Sequence, residues 1–235
     1  MRHTWNSYGI THTGNIRAHN EDAYLNYPQQ QIWLVADGMG GHTAGDVASH
    51  MIVDELENYT HTPLLGRNTR QIIQKLQKVN QELVEMAGDE GNKIIGSTVA
   101  ALITQRSHGV CLWAGDSRIY RFRDDKLKQI TRDHSELNEL LDLGMSLKEA
   151  LRSPFAQAIS RAVGADRTLA VEAQIIETME NDIYLLCSDG LDKEVSDEEI
   201  ADVLTSHTPD DSVQVLLKMA LERKGQDNIT VMIVY

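Results

Sequence analysis

Three apolar runs in this chain close on an aspartate beside a glycine: Ile32–Gly38 (IWLVADG), Val110–Asp116 (VCLWAGD) and Ile183–Gly190 (IYLLCSDG). Each has the length and the β-branched and aromatic content of a buried strand. One Asp-Gly after a strand is only a turn signal. Three of them, with Asp227-Asn228 ahead of a last strand and Asn20-Glu21-Asp22 near the start, constrain the chain much further. If these strand ends share one rim, several carboxylates meet there, and like charges at close range repel unless a cation sits between them. The pattern points to sheets that carry a metal site built from oxygen ligands.

The bulk of the sequence narrows the class. At 235 residues the chain is long enough to bury a substantial core. Its formal net charge of −13 argues against nucleic acid, which is bound through Lys and Arg, and against adsorption to anionic membranes. No stretch approaches the roughly 18 apolar residues of a membrane span, and Met1–Asn6 has no apolar leader core, so a cytoplasmic protein is expected. Cys111 and Cys187 both fall inside expected strands; their spacing leaves a disulfide open, and buried free thiols are the simpler reading.

No repeat, low-complexity tract or linker divides the chain, which is read as one domain over residues 1–235. An extended segment near residues 4–12 precedes the strand ending at Asp37. Val47, Met51, Ile52, Leu56 and Tyr59 recur at helical spacing, as do Ile72, Leu76, Val79, Leu83 and Met86. Strands are expected over 97–104, 109–114 and 118–123, then near 169–177 and 183–188, with a last one over 229–234. A polar helical stretch over 135–151 interrupts them. Ser146–Glu149 and Ser196–Glu199 both match a capping box, and a further helix carries Val213, Leu216, Leu217 and Ala220. This order lacks the regular strand–helix alternation of a parallel sheet. The fold class expected is α+β, with antiparallel sheets whose outer faces are covered by helices.

Asp37, Asp189 and Asp227 are the first candidates for metal ligands. Taken singly each is a turn or cap residue; taken together at strand ends they suit a hard cation such as Mg²⁺ or Mn²⁺. Zinc spacings of the H-E-x-x-H or C-x-x-C kind do not occur. Gly38–Gly45 (GMGGHTAG) fits neither nucleotide-binding glycine pattern and reads as a tight turn in which a carbonyl can join a metal held by Asp37. Arg17, three residues before Asn20-Glu21-Asp22, is either a surface arginine or a fork for a phosphate dianion. His42 is either a polar surface residue or a general acid, because histidine titrates near neutrality.

Seven segments in this order resemble the PPM family of metal-dependent serine/threonine protein phosphatases, the type-2C phosphatases, in their short bacterial form. They are Arg17–Asp22, Asp37–His42, Gly96–Thr98, Ala114–Arg118, Thr131–Ser135, Ser188–Leu191 and Gly225–Thr230. The resemblance implies a sandwich of two antiparallel sheets flanked by helix pairs, with the metals in a cleft at one end. It implies that Asp37 bridges two metals with the Gly38 carbonyl beside it, that Asp189 and Asp227 are further ligands, and that Glu21 and Asp22 hold metal-bound waters. Asp116, with Asp189, matches the position of a third metal, and Arg17 matches the residue that holds the substrate phosphate. His42 falls where bacterial members often carry a histidine; a metal-bound water is the rival acid. The segment of about 134–160 corresponds to the family's flap beside the cleft, although Ser153–Gln157 departs from the more usual His-Pro-x-Arg/Lys-Asn.

The resemblance further implies Mn²⁺ or Mg²⁺ as cofactor, two ions in the core site and a third beside them. It implies hydrolysis of phosphoserine and phosphothreonine on proteins by a metal-bridging hydroxide, with no nucleophilic side chain. Phosphoproteins, including a serine/threonine kinase, are the expected partners, and a monomer is expected. A catalytically silent relative that binds phosphoproteins or a kinase is the alternative; such relatives lose ligand carboxylates, and here every acidic position is filled. A metal-dependent nuclease would need a basic stripe that this acidic chain lacks.

Overall fold

A computed structural model describes residues 4–40, 44–88 and 94–235. Eleven strands are described: β1 (Ser7–His12), β2 (Asp22–Tyr27), β3 (Ile32–Met39), β4 (Gly96–Ser97), β5 (Val99–Gln105), β6 (His108–Ala114), β7 (Arg118–Arg123), β8 (Lys126–Gln129), β9 (Glu172–Glu177), β10 (Ile183–Cys187) and β11 (Ile229–Val234). The α-helices are α1 (Ala44–Glu57), α2 (Leu65–Ala87), α3 (Glu136–Asp142), α4 (Leu147–Ala150), α5 (Asp189–Asp192), α6 (Asp197–Ser206) and α7 (Pro209–Glu222). One sheet runs β2-β3-β5-β6-β9, with β4 paired to the end of β3, and the other runs β1-β11-β10-β7-β8. Every strand pairing in both is antiparallel.

The period-2 alternation of side chains sorts the strands into layers. Ile32, Leu34 and Ala36 of β3 pack beneath α1 and α2, while Trp33 and Val35 turn into the space between the sheets. In the second sheet Ile229, Val231 and Ile233 of β11 face α6 and α7, and Met232 and Val234 face inward. Continuous apolar runs therefore result: both faces of the central strands are covered, so no position needs to be polar. The molecule is a four-layer α/β/β/α sandwich, as expected. The same alternation separates the cysteines. Cys111 lies between the sheets and Cys187 lies under the second helical layer, both buried and free. Burial pushes the Cys111 thiol up to about 12.

The helices follow their expected stripes with two exceptions. Ile72, Leu76, Val79 and Leu83 are buried along α2, but Met86 is 53% exposed, and Val47 at the start of α1 is 39% exposed. Both stand near helix ends. Both capping boxes form: the Ser146 and Ser196 side chains accept from the N–H groups of Glu149 and Glu199, which reach back in turn. The expected helical stretch over 135–151 is two short helices, α3 and α4, parted by Gly144 at φ +88°. No residue of α3 is buried. The insert is closed at its base by a bridge between Ser135 and Ile159 and by Glu136 N–H donating to the Ala158 carbonyl at 3.0 Å.

Candidate metal centre

The carboxylates singled out from sequence come from both sheets and meet at one end of the sandwich. Asp22 opens β2 and stands opposite Asp37 in the β2–β3 ladder. Asp189 opens α5 directly after β10, Asp227 precedes β11, and Asp116 lies in the turn between β6 and β7. Arg17, Glu21, Asp37, Gly38, Asp189 and Asp227 line a cleft of about 410 Å³, with Ile159 of the insert at its edge. Asp189 also lines a neighbouring cavity of about 480 Å³, together with Asp116, Asp192 and Lys193 and with Leu137, Asn138 and Gln157 of the insert. The two spaces therefore share one carboxylate.

Several local devices hold these strand ends in place. Asp22 Oδ2 accepts from Ser188 Oγ at 2.7 Å and from Thr230 Oγ1 at 2.6 Å, which pins one sheet to the other at the rim. Asn228 clamps the segment before β2: its Oδ1 accepts from Glu21 N–H at 2.8 Å and its Nδ2 donates to the carbonyls of Thr13 and His19. Gly38 must be glycine, because a Cβ there would lie 2.1 Å from the Gly45 carbonyl oxygen and 2.6 Å from that of Glu21. Without one, α1 and the Glu21 loop close directly on the strand end.

The electrostatics of this rim are unfavourable for a protein alone. Burial, reinforced by Asp189 and Asp227 and only partly offset by the two hydroxyl donors, pushes Asp22 up to about 7. Burial and then Asp189 do the same to Asp116, also to about 7. Asp37 is raised well above its ordinary value by burial and by Asp22, Asp189, Asp116 and Asp227. Oδ1 atoms of Asp22, Asp116, Asp189 and Asp192 are buried and accept no hydrogen bond. Each such atom costs on the order of 1–3 kcal/mol, more when charged, so four in one neighbourhood fit a site made to receive cations.

Side-chain cations already answer part of this charge, Arg118 at Asp192 among them. Arg17 Nη2 donates to Asp227 Oδ2 at 2.9 Å, and Lys193 pairs with Asp189. Among the described residues no three acidic, histidine or cysteine side chains converge on one point closely enough to form a ligand set by themselves. The donor set consists of hard carboxylate oxygens with carbonyls nearby and no thiolate, which suits Mg²⁺ or Mn²⁺ rather than zinc.

Residues 12–228 match the family model of protein phosphatase 2C. The chain belongs to this family. It is 38% identical over 234 residues to the serine/threonine phosphatase stp of Listeria innocua, covering 95% of this chain and 93% of that one. Among solved structures it is similar to PppA, described as a key regulatory component of T6SS in Pseudomonas aeruginosa, at 39% identity and a TM-score of 0.91, covering 99% and 98% of the two chains. The catalytic domain of the serine/threonine protein phosphatase PstP, solved in complex with two manganese ions, matches at 30% identity and a TM-score of 0.82, covering 98% and 97%. These relatives make this chain a phosphatase of the 2C family, the resemblance drawn from its seven motifs.

The phosphatase fold thus gathers Arg17, Glu21, Asp22, Asp37, Gly38, Asp116, Asp189 and Asp227 at one end. His42 lies outside the described residues. Arg17 is 53% exposed at its side chain and turned to Asp227. Sequence reasoning passed over Ser188, Thr230 and Asn228 as agents in their own right, although all three stand inside the quoted motifs. It also passed over Asp192 and Lys193, whose only signal is their place three and four residues after Asp189, on the same side of a helical turn. Asp192 pairs with Arg118, which grips Asp133 as well. Among the described residues no helix is long and apolar enough to cross a membrane.

Proposed function

We propose that this chain is a Mn²⁺- or Mg²⁺-dependent phosphatase that hydrolyses phosphoserine and phosphothreonine on proteins, with residues 1–235 as one catalytic domain. The observation that supports this best is the cluster of buried carboxylate oxygens without partners, contributed by both sheets at the end of the sandwich where two cavities share Asp189. Asp37, the Gly38 carbonyl, Asp189 and Asp227 would hold two cations, with Glu21 and Asp22 acting through water, and Asp116 with Asp189 would hold a third. Divalent cations held there would bring the pKa of a bound water towards neutrality and offset charge on the phosphoryl oxygens.

The remaining work falls to the chain's own residues. Arg17, at the lip of the cleft, has a guanidinium fork suited to two phosphoryl oxygens, and its exposure leaves it free to swing from Asp227 to the substrate. Water adds to phosphorus as the ester P–O bond breaks, and the departing serine or threonine oxygen takes up a proton. His42 is the proposed donor. The insert over 134–160, with Leu143, Leu147, Leu151 and Phe155 exposed, borders the cleft and is proposed to contact the phosphoprotein. The charge of −13 supports a protein that avoids nucleic acid and anionic membrane, and we propose that it is a cytoplasmic monomer working against a serine/threonine kinase. Its likeness to PppA makes regulation of a secretion system the first cellular setting to examine.

The deciding experiment is phosphate release from a phosphothreonine peptide by chelator-treated protein, by the same protein with Mn²⁺ or Mg²⁺, and by Asp189→Asn with the same metals. Release that needs metal and disappears in the variant is expected. A folded protein that releases nothing under any metal would favour a phosphoprotein-binding role.

A further inference from the structure

Thr98 belongs to a motif, Gly96-Ser97-Thr98, to which the chemistry above assigns no part. It stands directly opposite Asp37. The ladder along β3 keeps one register on either side of it, with Val35 opposite Ala100 and Gly38 opposite Ser97. A hydrogen-bonded antiparallel pair exchanges both of its N–H···O=C bonds. Here only half of that exchange is made by backbone: Thr98 N–H donates to the Asp37 carbonyl at 2.8 Å. Asp37 N–H donates instead to Thr98 Oγ1 at 3.0 Å, and the Thr98 carbonyl accepts from Ser97 Oγ at 2.9 Å. A side chain has replaced a main-chain acceptor at the residue on which the whole cluster depends.

The same hydroxyl reaches the other carboxylate loop. Thr98 Oγ1 lies 2.6 Å from Ser117 Oγ, next to Asp116, and both residues are buried. Gly115, at φ +120°, comes so close that a Cβ there would be 2.6 Å from Thr98 Cβ. On its far side the Asp116 turn is held by His134, whose N–H donates to the Gly115 carbonyl at 2.9 Å and whose Nδ1 accepts from Gly115 N–H at 3.1 Å. The turn is therefore clamped between His134 and the Thr98–Ser117 pair.

We propose that Thr98 is a positioning residue whose hydroxyl sets the Asp37 peptide and the Asp116 turn relative to each other, so that cation binding at the two is linked. The inference rests on the metal reading given above. A hydroxyl has one proton and two lone pairs, enough to satisfy the Asp37 N–H and the Ser117 hydroxyl at once. Valine has the same shape and neither capacity. Substituting it would leave both groups buried and unpaired, and the main chain of Asp37 or Asp116 would have to shift to find new partners. Partners behind a metal ligand commonly change affinity by about 10–100-fold.

The test is calorimetric titration of chelator-treated full-length protein with Mn²⁺, for wild type, Thr98→Val, Thr98→Ser and Ser117→Ala. Thr98→Val is expected to bind Mn²⁺ about tenfold or more weakly, and Thr98→Ser to stay within about threefold of wild type. Ser117→Ala keeps the acceptor for Asp37 and should weaken only the weakest Mn²⁺ step. Equal affinities for Thr98→Val and wild type would overturn the inference, as would equal losses in Thr98→Val and Thr98→Ser, which would mark a packing effect. Should Thr98→Val not fold, Ser117→Ala decides, and unchanged Mn²⁺ binding at every step would overturn the proposal. Wild-type protein that takes up no Mn²⁺ would remove the metal reading itself, a result distinct from the others.

Discussion

Arg17 and Asp227 neutralise one another across the lip of the cleft at 2.9 Å, and each has a second proposed use. The pair is about half exposed on the arginine side, so its own contribution to stability is small, in the range of a surface ion pair. Breaking it costs little, which is what a residue that must turn towards an incoming phosphate needs. Charge-assisted hydrogen bonds of this kind contribute about 1.5–3 kcal/mol when made to a bound dianion. Arg17→Ala should therefore raise KM for a phosphothreonine peptide by about tenfold or more while changing kcat far less, and thermal stability should hardly move. Steady-state kinetics at saturating Mn²⁺ check this; an unchanged KM would take Arg17 out of the phosphate site. Lysine at the same position keeps the charge but not the fork, and should recover only part of the loss.

The strands owe their joining to polar contacts as well as to apolar runs, and the turn between β9 and β10 shows how. Asp182, just before β10, is buried and receives Arg123 Nε at 2.6 Å and Nη2 at 2.7 Å, Met179 N–H at 2.8 Å and Tyr184 Oη at 3.0 Å. Burial alone would push this carboxyl up, but the Arg123 guanidinium and the other donors outweigh it and hold it below its usual range. A carboxylate with a depressed folded value stabilises the protein above its unfolded value, near 3.9, and that stabilisation is lost as pH falls through the folded value. Asp182→Ala should cost about 3 kcal/mol at neutral pH, since it strands the partly buried Arg123 charge without its carboxylate, with only the Glu177 carbonyl left to accept from it. Urea unfolding measures the loss, and its difference from wild type should shrink as the pH is lowered below about 4.

The same element scale shows which strands could be read beforehand. Those covered on both faces, β3, β6, β10 and β11, each carry an apolar run of four or more residues and are visible in one dimension. The edge strands β2 (DAYLNY) and β8 (KLKQ) are not, because tertiary pairing rather than composition makes them strands. α3 and α4 merged into one expected helix since neither has a core face long enough to impose a period.

At the scale of the molecule, the two sheets are packed on apolar side chains between them and pinned by hydroxyls and carboxylates at one rim. The carboxylates of that rim were legible because Asp37, Asp116, Asp189 and Asp227 stand at or close to the ends of apolar strands; what links them was not. Asp22 to Ser188, and Thr98 to Ser117, join residues 166 and 19 positions apart, and no local pattern announces such a contact. Gathering these groups has a thermodynamic consequence for the whole fold. Asp22 and Asp116 are raised to about 7 and Asp192 to about 8, burial being the first cause in each, with Asp37 raised as well. A carboxyl whose folded value exceeds its unfolded one leaves stability intact below the unfolded value and takes it away as pH rises through the folded one. Chelator-treated protein should therefore melt at progressively lower temperature between about pH 5 and about pH 8. Saturating Mn²⁺ should raise the melting temperature most at the upper end, because the cation binds the deprotonated groups and displaces their protons. Melting curves across this range, with and without Mn²⁺, read both effects. A metal-free melting temperature that is flat or rises with pH would show that these carboxylates ionise without strain, and that the rim is not organised around cations.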